Sequence, residues 1–194
     1  MFVDYLTLML VNLVAGLLLL ALHLVAFMER SPKRLAPGFL LTGFIGTAAG
    51  LHMTLSWPLP GVHNIAFGEM SLLFGALFFF AGLALLREWD LLGLGIYAVL
   101  AGVAAVVVGA RILNLGLTKQ PLVTFLGFLL TGVGGILTLP AYLLHKSIAF
   151  RVVVALVLVA GAAIWALTAY GSYWVHLESF AKYFPGGAPP APAQ

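Results

Sequence analysis

The stretch HMTLSWPLPGVHNIAFGE at residues 52–69 concentrates side chains able to do chemistry: the imidazoles of His52 and His63 and the carboxylate of Glu69. Pro58 and Pro60 stop a preceding helix and Gly61 permits a turn, so the chain is expected to fold back and bring the three groups together. Histidine and glutamate ligate zinc, iron or manganese, and a histidine beside a carboxylate exchanges protons near neutral pH. Their spacing matches no metal motif. Structural duties compete with the chemical ones: Trp57 and the prolines suit an interfacial turn, Glu69 suits the first turn of a helix, and the histidines suit hydrogen bonds to loop carbonyls.

Asn64 and His176 belong to the same layer as supporting groups. Arg111 and Asn114 share one helical face, and Arg111 is the natural counter-charge for Glu69 unless it snorkels to lipid headgroups. Thr124, Thr131, Thr138 and His145 recur every seven residues and draw one polar seam along a helix. That seam lines a hydrated path or, alternatively, glues helices together through hydroxyl hydrogen bonds. Asn12 and His23 share a face of the first helix. A divalent metal is the first cofactor expectation. A b-type haem is the lesser one, held by His23 with His145, or by His52 with His63 or His176.

These groups sit in a chain of 194 residues that is 63% hydrophobic and 8% charged, with mean hydropathy +1.14. Water-soluble domains carry about 25% charged residues, so the solvent of this chain is a lipid bilayer. Apolar segments at 5–28, 38–57, 67–86, 91–117, 122–144 and 148–170 are each long enough to cross ~30 Å of hydrocarbon as a helix. They lack the alternation of barrel strands, which predicts an all-α polytopic bundle of six transmembrane helices. The first segment follows Asp4 in place of a basic leader and reads as a retained span. Residues 1–184 form the membrane domain, and 185–194, PGGAPPAPAQ, form a flexible tail.

The absence of cysteine excludes disulfides, thiolate metal sites and thiol nucleophiles. The nine Lys and Arg residues form no dense stripe, so nucleic acid is not an expected partner. Arg30, Lys33, Arg34, Arg87, Lys146 and Arg151 fall on one side of the bundle; Arg111, Lys119 and Lys182 fall on the other. This asymmetry predicts both termini outside a prokaryotic plasma membrane. The hexapeptide GFLLTG stands at 38–43 and again at 127–132. A true repeat would make two inverted three-helix halves, an arrangement common in secondary transporters; the other reading is coincidence in a Leu- and Gly-rich chain. Pro140 is expected to bend the fifth helix.

The 52–69 stretch, the six-span pattern and the length together resemble an uncharacterised family of bacterial and archaeal multi-span membrane proteins, domain-of-unknown-function family nine-eight-one. The resemblance covers nearly the whole chain up to the Pro-rich tail. It implies a fold, assigns no activity and carries over no functional residue.

The residues themselves point to a membrane protein that binds or transports a small polar solute, metal ion or proton through an outer-facing site at His52, His63, Glu69 and Arg111. The threonine seam would form part of the route. A membrane oxidoreductase or a metal- or haem-dependent enzyme at the same face is the alternative. A third reading is an accessory subunit, docking as a homo-oligomer or in a larger membrane complex through its glycine-rich faces.

Overall fold

The computed structural model describes residues 5–29, 31–59 and 61–181. Asp4, Arg30, Pro60, Lys182 and the 185–194 tail, all used in the sequence reading, lie outside the described residues. Helix α1 (Tyr5–Leu22) continues as a π-helical turn, His23–Phe27. A short 3₁₀ turn, Pro32–Leu35, leads into α2 (Ala36–Ser56). A second π-helical segment, Asn64–Glu69, leads into α3 (Met70–Arg87). Helices α4 (Leu92–Leu115), α5 (Pro121–Leu143) and α6 (Ile148–Phe180) follow. The described residues contain no strand, and six helices are long and apolar enough to cross a membrane.

Local sequence accounts for the boundaries. Pro32 and Pro121 open their helices, where the missing proline N–H costs no intrahelical bond. Helix α4 closes on Gly116 in the left-handed conformation, φ 63°, which glycine adopts without a Cβ penalty. The hydroxyl of Ser147 accepts a hydrogen bond from the Phe150 backbone N–H and caps α6. Helix α5 runs through Pro140 and ends at Leu143. Three boundaries differ from the hydropathy reading, and the second span, which opens at Pro32 with a 3₁₀ turn in place of 38, is the first of them. The third span begins at Asn64, because the returning hairpin is already helical. The sixth helix runs ten residues past 170, since GSYWVHLESF is too polar for a hydropathy boundary yet contains no helix breaker but one tolerated glycine.

The most extensive helix pairings are α4 with α5 and α2 with α3, followed by α1 with α6. Glycines permit the first two. A Cβ on Gly43 would collide with the backbone of Phe79 in α3, and Gly132 meets the backbone of Gly102 in α4. Both belong to the GFLLTG hexapeptides, and the first glycines also correspond: Gly38 faces Leu19 of α1, and Gly127 faces Trp165 of α6. The two copies therefore do the same packing work. Halves repeated in chain order would match α1–α2 with α4–α5, whereas the counterpart of α4–α5 in extent is α2–α3.

Leu17, Leu24, Phe39, Met53, Leu158 and Trp165 fill the centre of the bundle. Leu41, Phe44, Leu55, Val107, Leu156 and Leu167 are exposed around its circumference, as a lipid-facing surface requires. At one end of the bundle, Lys33 Nζ lies 2.8 Å from Glu88 Oε1 and Arg151 Nη2 lies 3.0 Å from Glu29 Oε1. These pairs tie the start of α2 to the end of α3, and the start of α6 to the end of the first span.

Candidate functional site

The 52–69 hairpin forms at the other end of the bundle, and Asn64 is its clasp. Its side chain is fully buried. Its Oδ1 accepts from the Leu59 N–H at 3.1 Å, while its Nδ2 donates to the carbonyls of Leu59 and Gly61. An amide pairs in this way with both backbone polar groups of a single residue, closing the turn that begins at Pro58.

The hairpin does not gather its ionisable groups into one centre. His52, exposed on the last turns of α2, rests its ring on Tyr5 at 5.2 Å, and Ser56 Oγ lies 3.4 Å from its Nε2. His63 stacks on Phe67, with ring centroids 6.2 Å apart and planes 11° from parallel. Glu69 makes no ion pair among the described residues, and Arg111 donates instead to Asn114 Oδ1 at 2.7 Å. The expected Arg111–Glu69 neutralisation is thereby corrected: Arg111 is exposed on α4, whose main neighbour is α5. Among the described residues, no three His, Asp or Glu side chains converge to hold a metal ion.

The threonine seam spends its hydroxyls inside the bundle. Thr124 and Thr138 donate to the carbonyls of Gln120 and Gly134 at 3.1 and 2.8 Å, and Thr131 Oγ1 accepts from Trp165 Nε1 at 2.9 Å. His145 is exposed in the turn after α5, whereas His23 is enclosed among helices, so the two are not a facing pair for haem. Asn12 donates to the Thr42 carbonyl at 2.8 Å, which ties α1 to α2.

Three hollows follow one another along the interior of the bundle. The largest, about 670 Å³, is a cleft at the histidine end lined by His63, His176, Lys119, Thr7, Thr168 and Ser172. Thr7 Oγ1 lies 3.4 Å from His176 Nδ1. Leu10, Phe67 and Trp165 form its apolar floor and also wall the second hollow, of about 40 Å³, where Asn12 and Ser71 are the polar groups beside Thr131. Phe74, Phe78 and Thr131 separate that hollow from a third, of about 90 Å³, around His23. Between cleft and centre stands a run of aromatic rings, Phe67 to Phe128 at 5.5 Å and Phe128 to Trp165 at 5.2 Å.

The structure thus brings His63 and His176 to one cleft and leaves His52 and Arg111 outside its lining. Sequence reasoning missed Trp165 and Lys119 as parts of the site. A tryptophan far from the interfacial belts needs a partner for its indole N–H, which was an available signal for Trp165. Arg151, counted among the cations at one end of the bundle, is 5% exposed; a basic residue near a span end gives no sign of whether it faces inward.

No curated protein and no solved structure matches the chain. The pattern of the family described as "Protein of unknown function (DUF981)" matches residues 1–179. The chain therefore belongs to this family, as an integral membrane protein with six helices able to span the bilayer.

Proposed function

We propose that this protein binds a small, polar or anionic organic solute in the cleft between α1, α5, α6 and the hairpin, and conducts it toward the centre of the bundle. The supporting observation is the cleft itself. Its volume of about 670 Å³ falls within the ~300–1,000 Å³ of small-molecule sites. Lys119, His63, His176 and several hydroxyls supply donors, and no Asp or Glu stands among the described lining residues. An apolar floor beneath this polar rim fits a short-chain carboxylate, with its anion toward Lys119 and its chain toward Phe67 and Trp165. The stacked hollows supply a direction of travel, and the aromatic run between them acts as the barrier.

The excess of Lys and Arg at the opposite end supports the reading that the cleft lies on the outer side of a prokaryotic plasma membrane. The cysteine-free sequence makes this testable with single cysteines at Lys119 and Lys146 and an impermeant thiol reagent on intact cells. For the binding reading, hexanoate and hexylamine are titrated separately against protein in nanodiscs while tryptophan fluorescence is followed, and hexanoate flux is measured in proteoliposomes. Saturable binding of hexanoate, weakened at least several-fold in Lys119→Ala and His176→Ala, is expected. Equal response to the amine, or binding indifferent to both substitutions, would overturn the reading.

A further inference from the structure

The third hollow has a feature its apolar walls do not explain. His23 is 5% exposed and lines it, and neither ring nitrogen has a hydrogen-bond partner among the described residues. The ring is held edge-on to Phe39, with centroids 6.2 Å apart at 84°. His23 also opens the π-helical turn His23–Phe27 that ends the first span. Buried polar groups are ordinarily paired, so an imidazole with a free donor and a free acceptor beside a void signals an occupant.

Size and chemistry limit what that occupant is. An apolar cavity of about 150 Å³ accommodates benzene, so about 90 Å³ suits a molecule of three or four heavy atoms. No charged side chain stands among the described residues lining the hollow, which favours an uncharged guest. Water fits poorly as the filling, because each molecule needs two to four polar partners. Besides His23 the wall offers only the hydroxyls of Thr131, Thr138 and Tyr142, of which Thr131 already serves Trp165 and Thr138 donates to Gly134. A single hydroxyl on a short apolar body satisfies both requirements, since it donates to one imidazole nitrogen or accepts from the other while its carbons meet leucine and phenylalanine.

We infer that the void at His23 is a binding site for a small uncharged alcohol, held through its hydroxyl by the imidazole. The inference rests on this cavity alone, independently of the outer cleft. The test titrates 1-propanol into protein with ¹⁵N-labelled histidine in nanodiscs, with His23→Leu identifying the resonances and Ala81→Leu filling the hollow while keeping the imidazole. Saturable movement of the His23 ring signals is expected, with a rise in melting temperature that both variants lose. Ring signals that ignore 1-propanol, whether they report bound water or an empty void, would refute the site, as would an equal thermal response in wild type and Ala81→Leu. If His23→Leu fails to fold, Ala81→Leu alone decides between these outcomes.

Discussion

Trp165 donates its indole N–H to Thr131 across 2.9 Å in the middle of the bundle, joining α6 to α5 where the first two hollows meet. Thr131 is buried and so is the indole, so neither group has water as a substitute partner. Thr131→Val keeps the shape and removes the acceptor, leaving a buried donor unpaired. The expected loss is about 1 kcal/mol, at the low end of the cost of an orphaned buried group because membrane hydrogen bonds are modest on average. Thr131→Ser should restore most of it. Reversible unfolding in mixed detergent micelles measures both, and an equal loss in Val and Ser variants would assign the effect to packing instead of the hydrogen bond.

Close approach of α2 to α3 at Gly43 gives a second expectation. Any side chain there meets the backbone of Phe79, which cannot move aside as a flexible side chain would. Gly43→Val should therefore cost on the order of 2 kcal/mol or more, through overpacking and separation of the helices. Gly93 is the control, since nothing lies within 4 Å of a Cβ built on it in α4. Gly93→Ala should stabilise by up to about 1 kcal/mol through helix propensity. The same unfolding assay reads both, and a tolerated Gly43→Val would contradict the tight α2–α3 contact.

The Lys33–Glu88 pair carries a pH signature. The hydrogen bond from the Lys33 ammonium, aided by its charge, holds the Glu88 carboxyl below its usual value. A carboxylate depressed in the folded state contributes stability above its unfolded value, and this is lost as pH falls through the folded one. Acidification from pH 6 to below about 4, the ordinary carboxylate range, should weaken the wild type more than Lys33→Met. Both groups are well exposed, so the difference is small and should shrink further in high salt. Parallel pH profiles for the two proteins would dismiss the pair as a contributor.

Spans were legible in the sequence because hydrocarbon demands long apolar helices, and that demand is written in composition residue by residue. The turn at Pro58 and Gly61 and the shared face of Arg111 and Asn114 followed from local stereochemistry for the same reason. What failed was azimuth. Whether Arg111 looks toward Glu69 or away, or whether Arg151 points into the bundle, depends on the rotation of each helix against its neighbours. With apolar residues on every face, these helices give the sequence little directional signal. Asn64 illustrates a second blind spot: a residue beside two candidate ligands serves the backbone of its own hairpin, a duty that only the closed turn reveals.

Helix α6 has 33 residues, about 50 Å of rise against ~30 Å of hydrocarbon. Even strongly tilted it overshoots, and its final turns carry His176 and the 83%-exposed Trp174 to the level of the phospholipid headgroups. The mouth of the histidine cleft then opens among phosphates and glycerol esters, so the surrounding lipid is a standing competitor for the groups that line it. Occupancy by the proposed anion will depend on whether the leaflet at that end is zwitterionic or anionic, and membrane composition becomes a variable of the site's chemistry as much as any side chain.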